Sequence, residues 1–288
     1  VAPSPKSSAL CGIHVAVILF GFAGLFGKYL TLAPTVIVFG RTVFAALTLL
    51  LVALGMRQTL AVRSLRDGGA FMVIGMILAI HWSTFFHSIQ ISTVAIGLLT
   101  YATFPVFITF MEPYFFKEKI RLFDVAMAAG VFIGLVLVVP AYDFKNNITQ
   151  GVLWGTLSGF TFAILSLMNR KYVQTYGSLV VSFYQNLFAA LALLPLAFMA
   201  ADRLGLSARD WGLLLLLGVL CTALAHALFI KGLANVKAQL ASIIASLEPV
   251  YGVILALLLL GEVPSMRTLI GGGIILATNL IAASNAKP

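Results

Sequence analysis

The chain has 288 residues, of which 61% are hydrophobic and only 9% charged. Its mean hydropathy is +1.07, whereas a soluble domain carries roughly 25% charged residues. So much apolar surface exceeds what a core of this size can hide, which excludes an ordinary soluble domain and leaves the bilayer as solvent. The formal net charge of +9 sits in short loops between apolar runs, where basic residues set topology and meet anionic lipid headgroups; no nucleic-acid partner is implied. The two cysteines, Cys11 and Cys221, both lie in apolar stretches, which argues against a disulfide framework, and a metal site needs more ligands.

A helix needs roughly 20 apolar residues to cross a bilayer. On that rule the sequence predicts an all-α integral membrane protein of ten transmembrane helices. Helix 1 runs from about Ala9 to Leu30 and helix 2 from about Pro34 to Leu54. The first run is too long for a signal peptide and is followed by many similar spans. Arg41 lies about a third of the way into helix 2. It either holds a substrate carboxylate, snorkels to the headgroups, or forms a structural pair.

Helix 3 covers about Gly68 to Ser88 and carries His81 and Trp82. The four histidines, His14, His81, His87 and His226, show no metal-ligand spacing, so no metal is expected. His81 is either a satisfied intramembrane hydrogen bonder or a cavity residue. Helix 4, about Thr93 to Phe116, contains Tyr101 and Pro105. A proline inside a helix removes one backbone hydrogen bond and clashes with the preceding turn, giving either a static kink or a hinge. Helix 5 is about Leu122 to Val139, with Gly130 and Gly134 as a small-residue motif. That motif reads as close helix contact within the chain, or as a homodimer face on an otherwise monomeric protein.

Asp143 to Asn147 is the most polar loop and marks the midpoint. Helix 6 runs from about Gly151 to Tyr172, and helix 7 from about Leu179 to Met199. They carry Trp154, Phe183 and Tyr184, which are either site aromatics or, for Trp154 near a helix end, part of an interfacial belt. Helix 8 is about Trp211 to Lys231, helix 9 about Ala238 to Leu260, and helix 10 about Met266 to Ala283. Helix 9 holds Ser242, Ser246, Glu248 and Pro249. The serines are four apart and share a face; they are polar handles of a pocket or small residues at a helix contact. Glu248 is about halfway along helix 9, and a carboxylate at such depth faces a cavity or a partner. It contacts a substrate amine, couples protons, or forms a structural pair. Glu112, Glu118 and Glu262 fall near helix ends and read as packing or loop-fixing residues.

With the N-terminus inside, the inner loops and termini hold Lys6, Arg57, Arg63, Arg66, Lys117, Lys119, Arg121, Arg170, Lys171, Lys231, Lys237 and Lys287. The outer side receives Lys28, Lys145, Arg203, Arg209 and Arg267. This excess predicts both termini in the cytoplasm.

Two stretches repeat. Thr103-Phe104-Pro105-Val106 and Leu247-Glu248-Pro249-Val250 lie 144 residues apart, and each proline precedes a glutamate, Glu118 or Glu262, by 13 residues. The same offset sets Phe39 on Phe183 and Arg41 on Gln185. Five helices per half make the second half enter from the opposite face. The predicted organisation is therefore a five-helix repeat over 1–140 and its inverted copy over 141–288, with substrate near the midplane between them.

The ten-helix repeat, Leu247-Glu248-Pro249-Val250, Gly261-Glu262 and Ser242 to Ser246 resemble the drug/metabolite transporter superfamily, in particular its EamA-type members, over nearly the whole chain. The first copy departs from the pattern, with Thr103-Phe104 where the second has Leu247-Glu248. Within that family the chain is similar to bacterial YddG-type exporters of aromatic amino acids. The resemblance implies export of amino acids, aromatic ones included, across a bacterial inner membrane. The expected substrate-binding set is His81, Trp82, Tyr101, Trp154, Phe183, Tyr184, Ser242 and Ser246, with Glu248 and Arg41 as coupling or structural charges and Pro105 and Pro249 as hinges. No nucleotide-binding loop and no hydrolase motif occurs in the sequence, so no catalytic residue or cofactor is expected. The alternatives are a drug, nucleotide-sugar or other metabolite transporter of the same fold, or a polytopic enzyme acting on lipid. Separate substitution of His81 and Glu248 discriminates these by loss of transport or of a turnover product.

Overall fold

Helices account for every regular element of the computed structural model, which describes residues 5–116, 120–139, 143–201, 205–236 and 238–284. Glu118, Lys117, Lys119, Arg203, Lys237 and Lys287 lie outside the described residues, as do the side chains of Lys6 and Ser242. α1 spans Pro5–Tyr29 and α2 Pro34–Gly55. Pro34 opens α2, where its missing N–H would have had no partner anyway. α3, Leu65–Ile91, extends past the expected span at both ends. Ser64 caps it, accepting from the Asp67 amide at 3.1 Å.

The expected helix 4 is two segments: α4, Val94–Tyr101, and α5, Phe104–Phe116. Pro105 has no N–H for the Tyr101 carbonyl four residues back, so the ladder parts at Ala102 and Thr103. Neighbours satisfy what is freed: Asn279 Nδ2 donates to the Ala102 carbonyl at 3.0 Å, and Thr103 Oγ1 donates to the Thr100 carbonyl at 2.8 Å. α6 spans Leu122–Val138, entered through reciprocal bonds between Arg121 and Asp124.

α7, Asn147–Ala201, is two helices joined at Gly177, whose φ of 76° and ψ of 164° suit glycine alone. Its arms, 147–176 and 178–201, take the places expected of helices 6 and 7. α8, Ala208–Gly218, runs into a π-helical turn over Val219–Leu224 and on into α9, Ala225–Leu233. The expected helix 9 is α10, Ala238–Ala245, and α11, Glu248–Leu260. Gly261, at φ 68°, ends α11, and α12 spans Met266–Ser284.

The outside of the bundle is apolar. Leu51, Leu54, Phe132, Phe198 and Leu258 are all more than 60% exposed, whereas Arg41, His81, Gln185, His226 and Glu248 are buried. A water-soluble fold inverts that distribution; lipid as solvent accounts for it. Among the described residues, six segments are long and apolar enough to cross a bilayer, with α7 counted once, and α6, α11 and α12 are shorter apolar helices. α4 packs on α11 and α5 on α10, while α6 packs on α12. A Cβ on Gly134 would stand 2.7 Å from the Gly271 carbonyl oxygen, and one on Gly130 2.9 Å from Thr278 Oγ1. The small-residue motif thus serves contact between α6 and α12 inside the chain.

Polar contacts tie the two ends. At one, Lys28 Nζ donates to the Ser92 carbonyl at 2.8 Å and stands 4.0 Å from Glu262, whose carboxylate accepts from the Val94 amide at 2.9 Å. At the other, Tyr176 donates to Asp67 at 2.6 Å, and Arg170 pairs with the buried Glu112. Glu112 and Glu262 thereby hold neighbouring elements together.

Candidate functional site

Between these ends lies a cavity walled by Phe20 and Ala23 of α1, Arg41 of α2, His81, Trp82 and Phe85 of α3, Tyr101 of α4, Phe162 of α7, His226 of α9 and Glu248 of α11. Its open space is narrow, with about 20 Å³ of room for the centre of a water molecule. That holds one or two waters. An organic cargo enters only if the bundle opens.

Helical periodicity builds the aromatic wall. His81, Trp82 and Phe85 stand at i, i+1 and i+4 on one side of α3. Tyr101 ends α4 immediately before the interruption between α4 and α5, with its ring 5.5 Å from those of His81 and Phe85. Phe162 packs 5.1 Å from His81 and 4.9 Å from Phe104. Ser158 engages His81 Nδ1, with Oγ at 2.9 Å and the carbonyl at 3.0 Å.

Arg41 does not snorkel. It is 2% exposed, and its guanidinium lies 3.7 Å from the centroid of the Trp82 ring. Nε donates to Thr222 Oγ1 at 2.9 Å and a terminal nitrogen to the Cys221 carbonyl at 3.4 Å. Both acceptors belong to the π-helical turn, where widened hydrogen bonding releases groups that an α-helix keeps for itself. Trp82 and this turn pull the cation inward more strongly than distant headgroups draw it out.

Glu248 is 4% exposed. It is the first residue of α11 rather than the middle of a continuous helix, so it sits where the helix dipole favours a carboxylate. Tyr101 faces the same cavity. Among the described residues neither Arg41 nor Glu248 has an ion-pair partner. The cavity therefore presents a cation and a carboxylate within aromatic walls. Pro105 and Pro249 occupy the first turns of α5 and α11, not the interior of unbroken helices, because a first turn needs no N–H at that position.

Three expected site aromatics stand elsewhere. Trp154 is 38% exposed and packs edge-on to His87, with ring centroids 5.2 Å apart. Phe183 packs near Ala45, Leu49 and Ala223. Tyr184 stacks on Phe71 and donates to the Leu60 carbonyl at 2.8 Å. Ser246 is buried but off the cavity wall. Phe20, Ala23, Phe85, Phe162 and His226 belong to the wall without having been anticipated. Phe85 had a signal, one turn beyond His81; Phe20 and Phe162 are apolar residues in apolar helices and had none.

A broken-helix bundle around a closed polar cavity, with lipid-facing surfaces outside, defines a multi-pass membrane transporter. The chain belongs to the EamA-like transporter family, whose profile matches twice, over residues 7–139 and 149–283. It is 24% identical over 276 residues to the uncharacterized transporter YxxF of Bacillus subtilis, covering 94% of this chain and 88% of that one. It is 26% identical to the pseudopaline exporter CntI of Pseudomonas aeruginosa, covering 89% and 88%. To the S-adenosylmethionine uptake transporter of Rickettsia conorii it is 27% identical, covering 74% and 71%. A solved crystal structure shares the fold, with a TM-score of 0.73 over 96% of this chain and 97% of that one at 16% identity.

Proposed function

We propose that this protein is a secondary transporter that exports amino acids, aromatic ones included, across a bacterial inner membrane by alternating access. The observation that carries the reading is one aromatic-walled cavity faced by both Arg41 and Glu248. The guanidinium suits a carboxylate and Glu248 suits an ammonium, while Trp82, Phe85, Tyr101 and Phe162 suit a flat side chain. In this reading 1–140 and 141–288 are inverted repeats of five helices each, with both termini cytoplasmic. Two family matches in tandem and the pairing of α4 with α11, α5 with α10 and α6 with α12 support that symmetry. Pro105 and Pro249 are the hinges, Pro105 four residues after Tyr101 of the cavity wall and Pro249 immediately after Glu248 of that wall. In this reading the chain works as a monomer, and the coverage of the Gly130 and Gly134 face by α12 removes one candidate dimer surface.

Purified protein in liposomes tests this. Labelled phenylalanine, tyrosine and tryptophan should move saturably without ATP, whereas phenethylamine, which lacks the carboxylate, should not. Relatives named for S-adenosylmethionine and pseudopaline make these the competing cargoes to offer. Movement of S-adenosylmethionine with no movement of aromatic amino acids would remove the cargo assignment and leave a transporter.

A further inference from the structure

A second polar feature leaves the cavity. Gln185 Nε2 lies 3.1 Å from His226 Nδ1 on the cavity wall, and Asn169 Nδ2 donates to Gln185 Oε1 at 3.0 Å. Asn169 and Gln185 lie eight residues before and after Gly177, so the two arms of α7 meet in register about that turn. Helical spacing brings Ser166 to the face of Asn169 and Ser182 to the face of Gln185, and Asn186 stands one turn beyond Ser182, with its Nδ2 donating to the Ser182 carbonyl at 2.8 Å. All of these side chains are at most 2% exposed.

The seam is incompletely bonded. Ser166 Oγ, Asn169 Oδ1, Ser182 Oγ and Asn186 Oδ1 have no hydrogen-bond partner among the described residues. Helix packing between two arms of one hairpin needs no such groups; alanine and leucine pack better and strand nothing. At 1.5 Å rise per residue the seam spans depths of about 8 to 16 Å below the Gly177 turn. One residue beyond Asn169, Arg170 pairs with buried Glu112. A row of unmet donors and acceptors from the cavity toward a locked end is what a route looks like when it is closed and dry.

We propose that this seam between the arms of α7 is the permeation route on the Gly177 side. When that side opens it hydrates, and its amide and hydroxyl groups take the polar head of the cargo between the cavity and the surface. The inference rests on reading the cavity as the transport site.

Ser166→Cys and Ser182→Cys are to be placed singly in a chain whose Cys11 and Cys221 are replaced, then exposed in vesicles to a charged methanethiosulfonate. Leu191→Cys, on the lipid-facing side at 51% exposure, is the control. The route predicts labelling of both seam cysteines at least tenfold faster than the control. Labelling no faster than the control would overturn it. The double variant Ser166→Ala/Ser182→Ala adds an independent reading. A melting temperature unchanged or raised, with transport slowed severalfold, supports the route; a lowered melting temperature or unchanged transport overturns it. Labelled seam cysteines in a protein that moves no amino acid would remove the cargo assignment alone, and transport past an unlabelled seam would remove the route alone.

Discussion

Arg41 and Tyr184 illustrate how much one residue's surroundings decide. Arg41 stacks on Trp82 and bonds to the π-helical turn. A desolvated cation–π contact is worth about 2 kcal/mol, and a lysine keeps the charge without the planar face or the fork. Arg41→Lys should therefore lower transport of carboxylate-bearing cargo about 30-fold, read as initial uptake into proteoliposomes. Equal rates for wild type and variant would return Arg41 to a structural role. Tyr184→Phe loses only the bond to the Leu60 carbonyl. That costs about 1 kcal/mol, so the melting temperature should fall by about 2–4 °C with KM unchanged. Both residues were candidates from sequence, but only the charge announced itself. A charge in an apolar span must have company. A tyrosine can face any side of its helix, and apolar periodicity inside a membrane does not say which side is the interior.

At the scale of elements, Pro105 and Pro249 part their helices where each closes on the cavity. An alanine at 249 regains an N–H for the Ala245 carbonyl, and one at 105 for the Tyr101 carbonyl. Each regained bond favours the continuous helix by about 1 kcal/mol, enough to shift a hinge equilibrium about fivefold. Pro105→Ala and Pro249→Ala should slow exchange by about that factor while the Kd for cargo stays within about twofold; stopped-flow transport beside equilibrium binding separates the two. Unchanged exchange would make both breaks static. The positions of the apolar runs were legible because lipid imposes length and composition on every spanning segment. The breaks at Ala102–Thr103 and Ser246–Leu247 were only half legible. Proline announces a lost bond, but whether the helix bends or divides depends on partners such as Asn279, which meets the freed Ala102 carbonyl from α12. The π-helical turn at Val219–Leu224 has no comparable signature in Val-Leu-Cys-Thr-Ala-Leu.

For the whole molecule, two ion pairs of unequal burial stand at the two ends, and on the alternating-access reading their difference sets which end yields first. The Lys28 side chain is 26% exposed and that of Glu262 is 21%. Water and salt reach both, so their attraction contributes about 0.2–1 kcal/mol, screened further as salt rises. The pair of Arg170 and Glu112 is more enclosed, with side chains 16% and 3% exposed. Removing Arg170 there takes the ion-pair partner from a buried carboxylate, a change that costs up to about 3–5 kcal/mol. Lys28→Met should accordingly loosen its end without harming the fold. In the same cysteine-replaced background, Ala23→Cys on the cavity wall should react with a charged thiol reagent from the Lys28 side up to about fivefold faster once Lys28 is methionine. Raising salt in the lysine-bearing chain should give part of the same increase. No increase in either case would mean that apolar packing, not this cluster, closes that end. Arg170→Met should instead reduce folded yield, and Arg170→Met/Glu112→Leu should restore it, because the paired replacement removes both buried charges together. If the double variant folds and the Gly177 side then reacts faster, the buried pair is the lock on that side; if it folds with reactivity unchanged, the pair is structural alone.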